Sequence, residues 1–336
     1  MNMDIDFVVP WVDGSDPAWL AEKFQYSPVK KSDADSVNRY RDWGLMPFWF
    51  RAVEKFTPWV RKIHFVTWGH LPEFLNTENP KLHIVNHRDY IPEEYLPTFS
   101  ANPIEMNMHR IPELSEHFVY FNDDMFLLKS MSPNDFFDGK SGMPKSQAPE
   151  TPIGFTDNEV WQYLVANDLC VINKYFHKFR VFQKFFPKFI NYRYPLVDNM
   201  RSLGMFCLFP KLFYGFKNFH APAAYLKSTF KELWEKEPDL LKNTSSHKFR
   251  SKEDVNQWLA LWWQVASGKF SPKRMKTLTF APNENNLADL DSIIKKQKFE
   301  MICINDPISC QNYEFLSTRV KIAFASILTK KSEFEK

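Results

Sequence analysis

The stretch Phe118-Val119-Tyr120-Phe121-Asn122-Asp123-Asp124 ends an apolar run in two adjacent carboxylates. Two such charges side by side are costly unless a cation or hydrogen-bond donors neutralise them. A divalent ion on a pyrophosphate does so, because Mg²⁺ is usually held by one or two carboxylates plus phosphate oxygens. The same residues also make an ordinary polar turn after a strand. Met301-Ile302-Cys303-Ile304-Asn305-Asp306 repeats the pattern, so either both runs reach one metal or phosphate site or the recurrence is chance.

Three further groups offer acid–base or phosphate chemistry. Glu105 and His109 lie at i and i+4, on one face if the segment is helical, with Glu105 in the first turn where a carboxylate suits the dipole. A surface ion pair is the bland alternative. His220, just before Pro222, has the type of a base or proton shuttle, and Arg250 the planar fork that suits phosphate; a satisfied structural histidine is the competing reading. Phe176, Phe179, Phe182, Phe186 and Phe189 recur at roughly helical spacing with Lys178, Arg180, Lys184 and Lys188 between them. That pattern fits a basic helix on an anionic membrane or a lipid-linked acceptor, and equally a core helix with a solvated outer face.

The elements that position these groups follow from composition and periodicity. The chain has 336 residues, 44% of them hydrophobic, enough for a substantial core in one large domain or two modest ones. A net charge of +3 excludes a dedicated nucleic-acid binder. Cys170, Cys207, Cys303 and Cys310 have no zinc or disulfide-framework spacing, which predicts reduced thiols in a cytosol. Neither a signal sequence nor a membrane-spanning run is visible.

Apolar runs at 5–9, 62–67, 82–86 and 118–121 predict strands, with helices at 45–56 and around 104–111 between them. Strand, helix, strand in this order implies a parallel-rich α/β sheet with ligands beyond the carboxyl ends of its strands. Residues 133–152 read as a flexible loop or hinge. Beyond it the chain reads as mostly helical, with helices near 157–169, 175–190, 222–237, 252–266, 287–298 and 312–328, and Ser251 with Asp254 as a capping box. The expected division is an α/β core over 1–150 and a helical part over 151–330, with 300–306 returning to the core and 331–336 a frayed tail.

At this point the residues resemble a known family. Ile5-Asp6-Phe7-Val8-Val9-Pro10-Trp11-Val12-Asp13-Gly14-Ser15-Asp16-Pro17 resembles the first conserved region of the Stealth proteins, bacterial capsular and exopolysaccharide sugar-1-phosphate transferases related to the animal N-acetylglucosamine-1-phosphotransferase. Asn38-Arg39-Tyr40-Arg41-Asp42, Leu96 to Phe99, Ile104-Glu105, His109 to Ile111 and Asn122-Asp123-Asp124 are similar to the second region. His220 through His247-Lys248-Phe249-Arg250 resembles the third, and Cys303-Ile304-Asn305-Asp306 the fourth. The resemblance implies a Rossmann-like, glycosyltransferase-A-like core that transfers a hexose-1-phosphate or N-acetylhexosamine-1-phosphate from a UDP-sugar to a saccharide hydroxyl, releasing UMP.

Carried over by position, Glu105, Asp124, His220 and Arg250 match the catalytic residues. Asp123, Asp124, Asn305 and Asp306 fall where contacts to Mg²⁺ (or Mn²⁺) or phosphate are expected, and Trp11, Asp13, Gly14, Ser15, Asp16, Arg41 and Asp42 beside the nucleotide. Pro307, where relatives often carry a further Asp or Asn, and the bulky Trp43-Gly44-Leu45 depart from the pattern. Either His220 or Glu105 is the expected base. The implied setting is cytoplasmic, at the inner face of a bacterial membrane, with a lipid-linked acceptor and a membrane contact through 175–190. Two rivals predict otherwise: an ordinary glycosyltransferase releases UDP, and a non-catalytic saccharide-binding protein turns over no nucleotide.

Overall fold

The structure is a computed structural model that describes residues 3–26, 40–154, 160–217, 219–306 and 312–336. The run IDFVVPW forms β1 (Ile5–Trp11), followed by α1 (Pro17–Tyr26), α2 (Met46–Phe56), β2 (Ile63–Thr67), β3 (Leu82–Asn86), α3 (Ala101–Met106) and β4 (His117–Tyr120). β1 is buried on both faces, with Phe7 and Val9 in one cluster and Val8 in the other, and its one acid, the buried Asp6, is held by Arg61 at 2.8 Å and His64 at 3.0 Å. In α2, Met46, Trp49, Phe50, Val53 and Phe56 repeat at helical spacing and bury one face.

The next elements are β5 (Met125–Leu127), α4 (Pro133–Phe136), β6 (Lys145–Ser146), α5 (Val160–Tyr175), α6 (Lys178–Phe189), α7 (Leu196–Leu208) and β7 (Ala223–Leu226). The chain continues with α8 (Lys227–Lys236), α9 (Pro238–Ser246), α10 (Gln257–Ala266), β8 (Ser271–Pro272), β9 (Thr277–Phe280), α11 (Leu287–Lys295), β10 (Met301–Ile304) and α12 (Tyr313–Ala325).

The main sheet has the order β3-β2-β1-β4-β7. Its first four strands are parallel, with Val8 opposite both His64 and Tyr120, and β7 is antiparallel to β4. The parallel-rich α/β fold with a largely helical second half is therefore as expected. Strand order runs outward from β1 to β3 and then jumps to the other side of β1. In open α/β sheets such a reversal marks the ligand crevice, here at the carboxyl ends of β1 and β4. A second sheet, β5-β10-β9, begins straight after the turn that ends β4, and its β10 runs antiparallel to β5. The 300–306 run thus reaches the turn at Asp124, whose carbonyl accepts from the Ile304 amide at 2.8 Å.

Several expectations need correction. Residues 133–152 are packed rather than hinge-like: Phe136, Phe137, Gln147, Ala148 and Glu150 are buried and β6 pairs with β8. The helix expected over 222–237 begins as strand β7, because Ala224 and Tyr225 complete the sheet edge before α8 starts. α10 starts at Gln257, capped by Asn256, whose side chain accepts from the Trp258 amide at 2.9 Å; Ser251 and Asp254 lie in the loop before it. The supposed tail is docked. Phe334 is buried and stacks on Phe50 at 5.1 Å, and Glu335 takes both arms of Arg51 at 2.9 and 2.7 Å.

Candidate active site

The crevice is built from strand ends. After β4, buried Phe121 anchors the turn, and the Met125 amide closes it onto the Asn122 carbonyl at 3.2 Å. The turn presents Asn122, Asp123 and Asp124. Asp124 Oδ2 accepts from the Cys303 thiol at 3.2 Å and faces His220 Nε2 at 3.8 Å. Asn122 Nδ2 lies 3.1 Å from the same His220 nitrogen and fixes the ring. Asp124, His220 and Cys303 offer donor atoms within 4.8 Å of one another. Burial and the neighbouring Asp124 carboxylate push the Cys303 thiol far up, so it stays a neutral S–H donor.

Asp124 Oδ1 is buried with no hydrogen-bond partner. An orphaned carboxylate oxygen of this kind asks for a cation. Asp123 touches solvent, yet the protein around it and the charges of Asp124 and Asp42 raise its pKa. Burial raises Asp42 too, with Asp13 adding to the effect. Four carboxylates thus crowd the ends of β1 and β4. The oxygen donors are of the kind that fits a hard divalent ion, which Asp124 and its neighbour Asp123 would hold, whereas the neutral thiol is not.

At the end of β1, Asp13 Oδ1 accepts from the Ser15 amide and hydroxyl at 2.8 and 2.6 Å, and Asp16 Oδ1 from the Trp19 amide at 2.8 Å, capping α1. A Cβ on Gly14 would sit 2.2 Å from the Tyr40 carbonyl, so only glycine fits there. Trp11 is buried edge-on to His70 at 5.3 Å, and His70 Nε2 accepts from the Asp13 amide at 2.8 Å. Asp42 Oδ1 takes the Gly44 amide at 2.6 Å, and the Tyr313 hydroxyl donates to the Asp42 carbonyl. Arg41 stands over the Tyr313 ring at 4.7 Å and 3.6 Å from Asp306.

Glu105 is buried against the carboxyl end of β4. It accepts from the Tyr120 hydroxyl at 3.0 Å and from the Gln257 amide at the start of α10 at 3.2 Å. Burial pushes its pKa up to about 7 against the pull of the Gln257 amide and of Arg250. His109 does not join it. α3 ends at Met106, a tighter turn follows, and His109 packs toward Phe230 and Trp234, its pKa driven down to about 3 by burial. The expected shared acid–base face is therefore absent.

The structure brings Asp123, Asp124 and His220 together and sets Asp13 and Asp42 beside them. Asp306 faces Arg41, and Asn305 is exposed while its amide donates to Phe280. Two of the four cations in the basic stripe of 175–190 are used internally, and Arg180 and Lys184 stay exposed. Lys178 is buried on Glu150 at 2.6 Å, and Lys188 donates to the Gly268 and Phe270 carbonyls at 2.6 and 2.8 Å. Asn38, Arg39, Pro307, Cys310 and the first residues of the 157–169 helix lie outside the described residues.

Sequence reasoning quoted Asn122, Cys303, His247 and Asp254 inside its motifs without giving them a role in the site, and passed over His70. His247 Nδ1 sits 2.6 Å from Asp254, which also takes Asn102 Nδ2 at 2.7 Å. For His70 a signal existed: Trp68-Gly69-His70 follows β2 as Asp13-Gly14 follows β1, at the same end of the same sheet.

Conserved regions 1, 2 and 3 of the Stealth proteins match residues 3–28, 39–145 and 219–263. The capsular polysaccharide phosphotransferase WcwK of Streptococcus pneumoniae is 40% identical over 337 residues, covering 100% of both chains. The receptor polysaccharide phosphotransferase WefC of Streptococcus oralis is 40% identical over 98% of this chain and 99% of its own. The exopolysaccharide phosphotransferase cps2G of Lactiplantibacillus plantarum is 38% identical over 99% and 96%. A crystal structure of the galactosyltransferase LgtC with donor and acceptor sugar analogues aligns over 98% of both chains at 10% identity, with a TM-score of 0.32.

Proposed function

The chain belongs to the Stealth family, and from that premise we propose that it is a capsular or exopolysaccharide phosphotransferase that moves a hexose-1-phosphate or N-acetylhexosamine-1-phosphate from a UDP-sugar to a saccharide hydroxyl. The observation that carries the reading is the Asp124–His220–Cys303 cluster with its partnerless Asp124 oxygen, at the strand-order reversal and beside Asp42 and Asp123.

In this mechanism the acceptor oxygen bonds to the β-phosphorus while the bond from that phosphorus to the α-phosphate oxygen breaks. UMP leaves with the bonding pair, and the acceptor proton passes to His220. His220 suits the role because it is half-exposed and has the Asp124 carboxylate 3.8 Å from Nε2 to stabilise the imidazolium, whereas Glu105 is sealed behind Tyr120. Mg²⁺ or Mn²⁺, held by Asp124 and Asp123, supplies positive charge to the diphosphate when bound. Arg250 offers its guanidinium to the phosphoryl oxygens. Gly14 lets the Tyr40 backbone close against the turn after β1, and in this reading Trp11, Asp13, Gly14, Ser15, Asp16, Arg41 and Asp42 stand around the nucleotide.

The acceptor in this reading is lipid-linked and met at the inner membrane face. The test is the nucleotide released from a panel of UDP-sugars with Mg²⁺ and a lipid-linked saccharide extract. UMP, lost in His220→Ala and Arg250→Ala, supports phosphoryl transfer; UDP means glycosyl transfer and removes His220 and Arg250 from these roles.

A further inference from the structure

α7 is inside out. Its inward positions are polar: Asp198 is buried on Gln147, Arg201 and Lys217 at 3.0, 2.7 and 2.8 Å, and the buried Ser202 hydroxyl accepts from the Glu150 amide at 2.8 Å. Its outward positions are apolar, with Leu196, Val197 and Met200 at 73%, 70% and 65% exposure, and Leu203 and Leu208 on the same side. A helix of a soluble domain turns the other way, and a contiguous exposed apolar face marks an interaction surface.

The charges around that face select the partner. Residues 175–217 contain eight Lys or Arg and one acid, Asp198, which is buried and already paired. Arg180, Lys184, Arg193 and Lys211 remain exposed, and Tyr192 stands out at 85% exposure. A second copy of this chain would set these cations against their own images. An anionic bilayer takes both features at once, apolar side chains in the acyl boundary and cations among the headgroups. No helix among the described residues is long and apolar enough to cross a membrane, so the contact is in-plane.

We infer that α7 and the turns flanking it form an in-plane docking face for anionic lipid. The chain leaves this face at Tyr214 and reaches His220 six residues later, at most about 20 Å away. Docking there holds the crevice near the headgroups, where a lipid-linked acceptor presents its saccharide. That last consequence rests on the function proposed above; the docking itself does not.

The full chain is sedimented with vesicles of phosphatidylcholine alone or mixed equally with phosphatidylglycerol. The expected result is binding to the anionic vesicles about tenfold or more above the neutral ones. Met200→Ser with Leu208→Ser weakens binding to the anionic vesicles about tenfold, and Arg193→Glu with Lys211→Glu removes the preference for anionic lipid. Both variants keep the wild-type circular dichroism and the wild-type rate with a water-soluble saccharide acceptor. Equal binding to both vesicle types, wild-type binding by the serine variant, or a lipid-free dimer that this variant dissociates overturns the proposal. UMP release is read separately, so a failed transfer assay with intact docking counts against the function alone.

Discussion

Asp124 divides its work between two oxygens. Oδ2 accepts a hydrogen bond from the Cys303 thiol and faces His220, and Oδ1 has no donor to accept from. A buried acceptor without a donor costs about 1–3 kcal/mol, and a bound cation recovers it. Millimolar Mg²⁺ is therefore expected to raise the melting temperature of the wild type and not of Asp124→Asn, by differential scanning fluorimetry. The variant is also expected to lose at least about a hundredfold in transfer rate. Glu105 makes the opposite prediction, a structural one. Its pKa stands near 7 in the folded protein against an ordinary 4.5, so between those values the folded state holds a proton that the unfolded chain has released. Stability from this group is complete below 4.5 and drains away as pH rises to 7. The Tyr120 hydroxyl accepts as readily as it donates, so a glutamine amide keeps both hydrogen bonds. Urea titrations are expected to show the wild type losing up to about 3 kcal/mol relative to Glu105→Gln between pH 4.5 and pH 8. Parallel curves would mean that Glu105 is ionised throughout.

Among the elements, α10 shows how the site is braced. Asn256 caps it, Glu105 takes the Gln257 amide, and buried Asp168 takes the Asn256 amide at 3.3 Å, so three side chains satisfy the backbone at its start. Asn256→Ala is expected to cost about 1 kcal/mol by chemical denaturation. The strands of the crevice were legible in the sequence because each is an apolar run closed by turn residues, and β1, β3 and the Asn122–Asp124 turn fall where that pattern puts them. What escaped was set by tertiary contact. Ala223–Leu226 has no strong strand signature and becomes β7 only because β4 offers an open edge. The Glu105–His109 spacing promised a shared face, but the helix tightens after Met106 and sends His109 toward Trp234. Lys178 and Lys188 read as a solvated stripe, yet buried Glu150 and two carbonyls claim them, a choice no local pattern encodes. Cys303 gave no signal of its own, since its role depends on β10 lying beside the turn after β4.

At the scale of the molecule, the two halves of the chain are interlocked. β7, from the second half, closes the sheet of the first, and β10 pairs with β5 across more than 170 residues of sequence. α12 packs against α2 through Phe324 on Phe48 and holds the Asp42 carbonyl through Tyr313. The last residues lock this arrangement. Phe334 lies on Phe50 in the same core as Phe65 and Trp49, and the Asn76 amide donates to the Phe334 carbonyl at 2.8 Å. Removing residues 331–336 strips a buried aromatic ring, uncovers Phe50 and leaves Arg51 without its carboxylate. Loss of a buried Phe side chain alone costs about 3–5 kcal/mol. Truncation is therefore expected to lower the urea midpoint by that much stability in a single cooperative transition. Because α12 carries Tyr313 into the crevice, the Mg²⁺-dependent rise in melting temperature is expected to shrink with it. A truncated chain with the wild-type midpoint would show that these residues merely rest on the surface, and two separate transitions would show that the halves fold independently of the shared sheet.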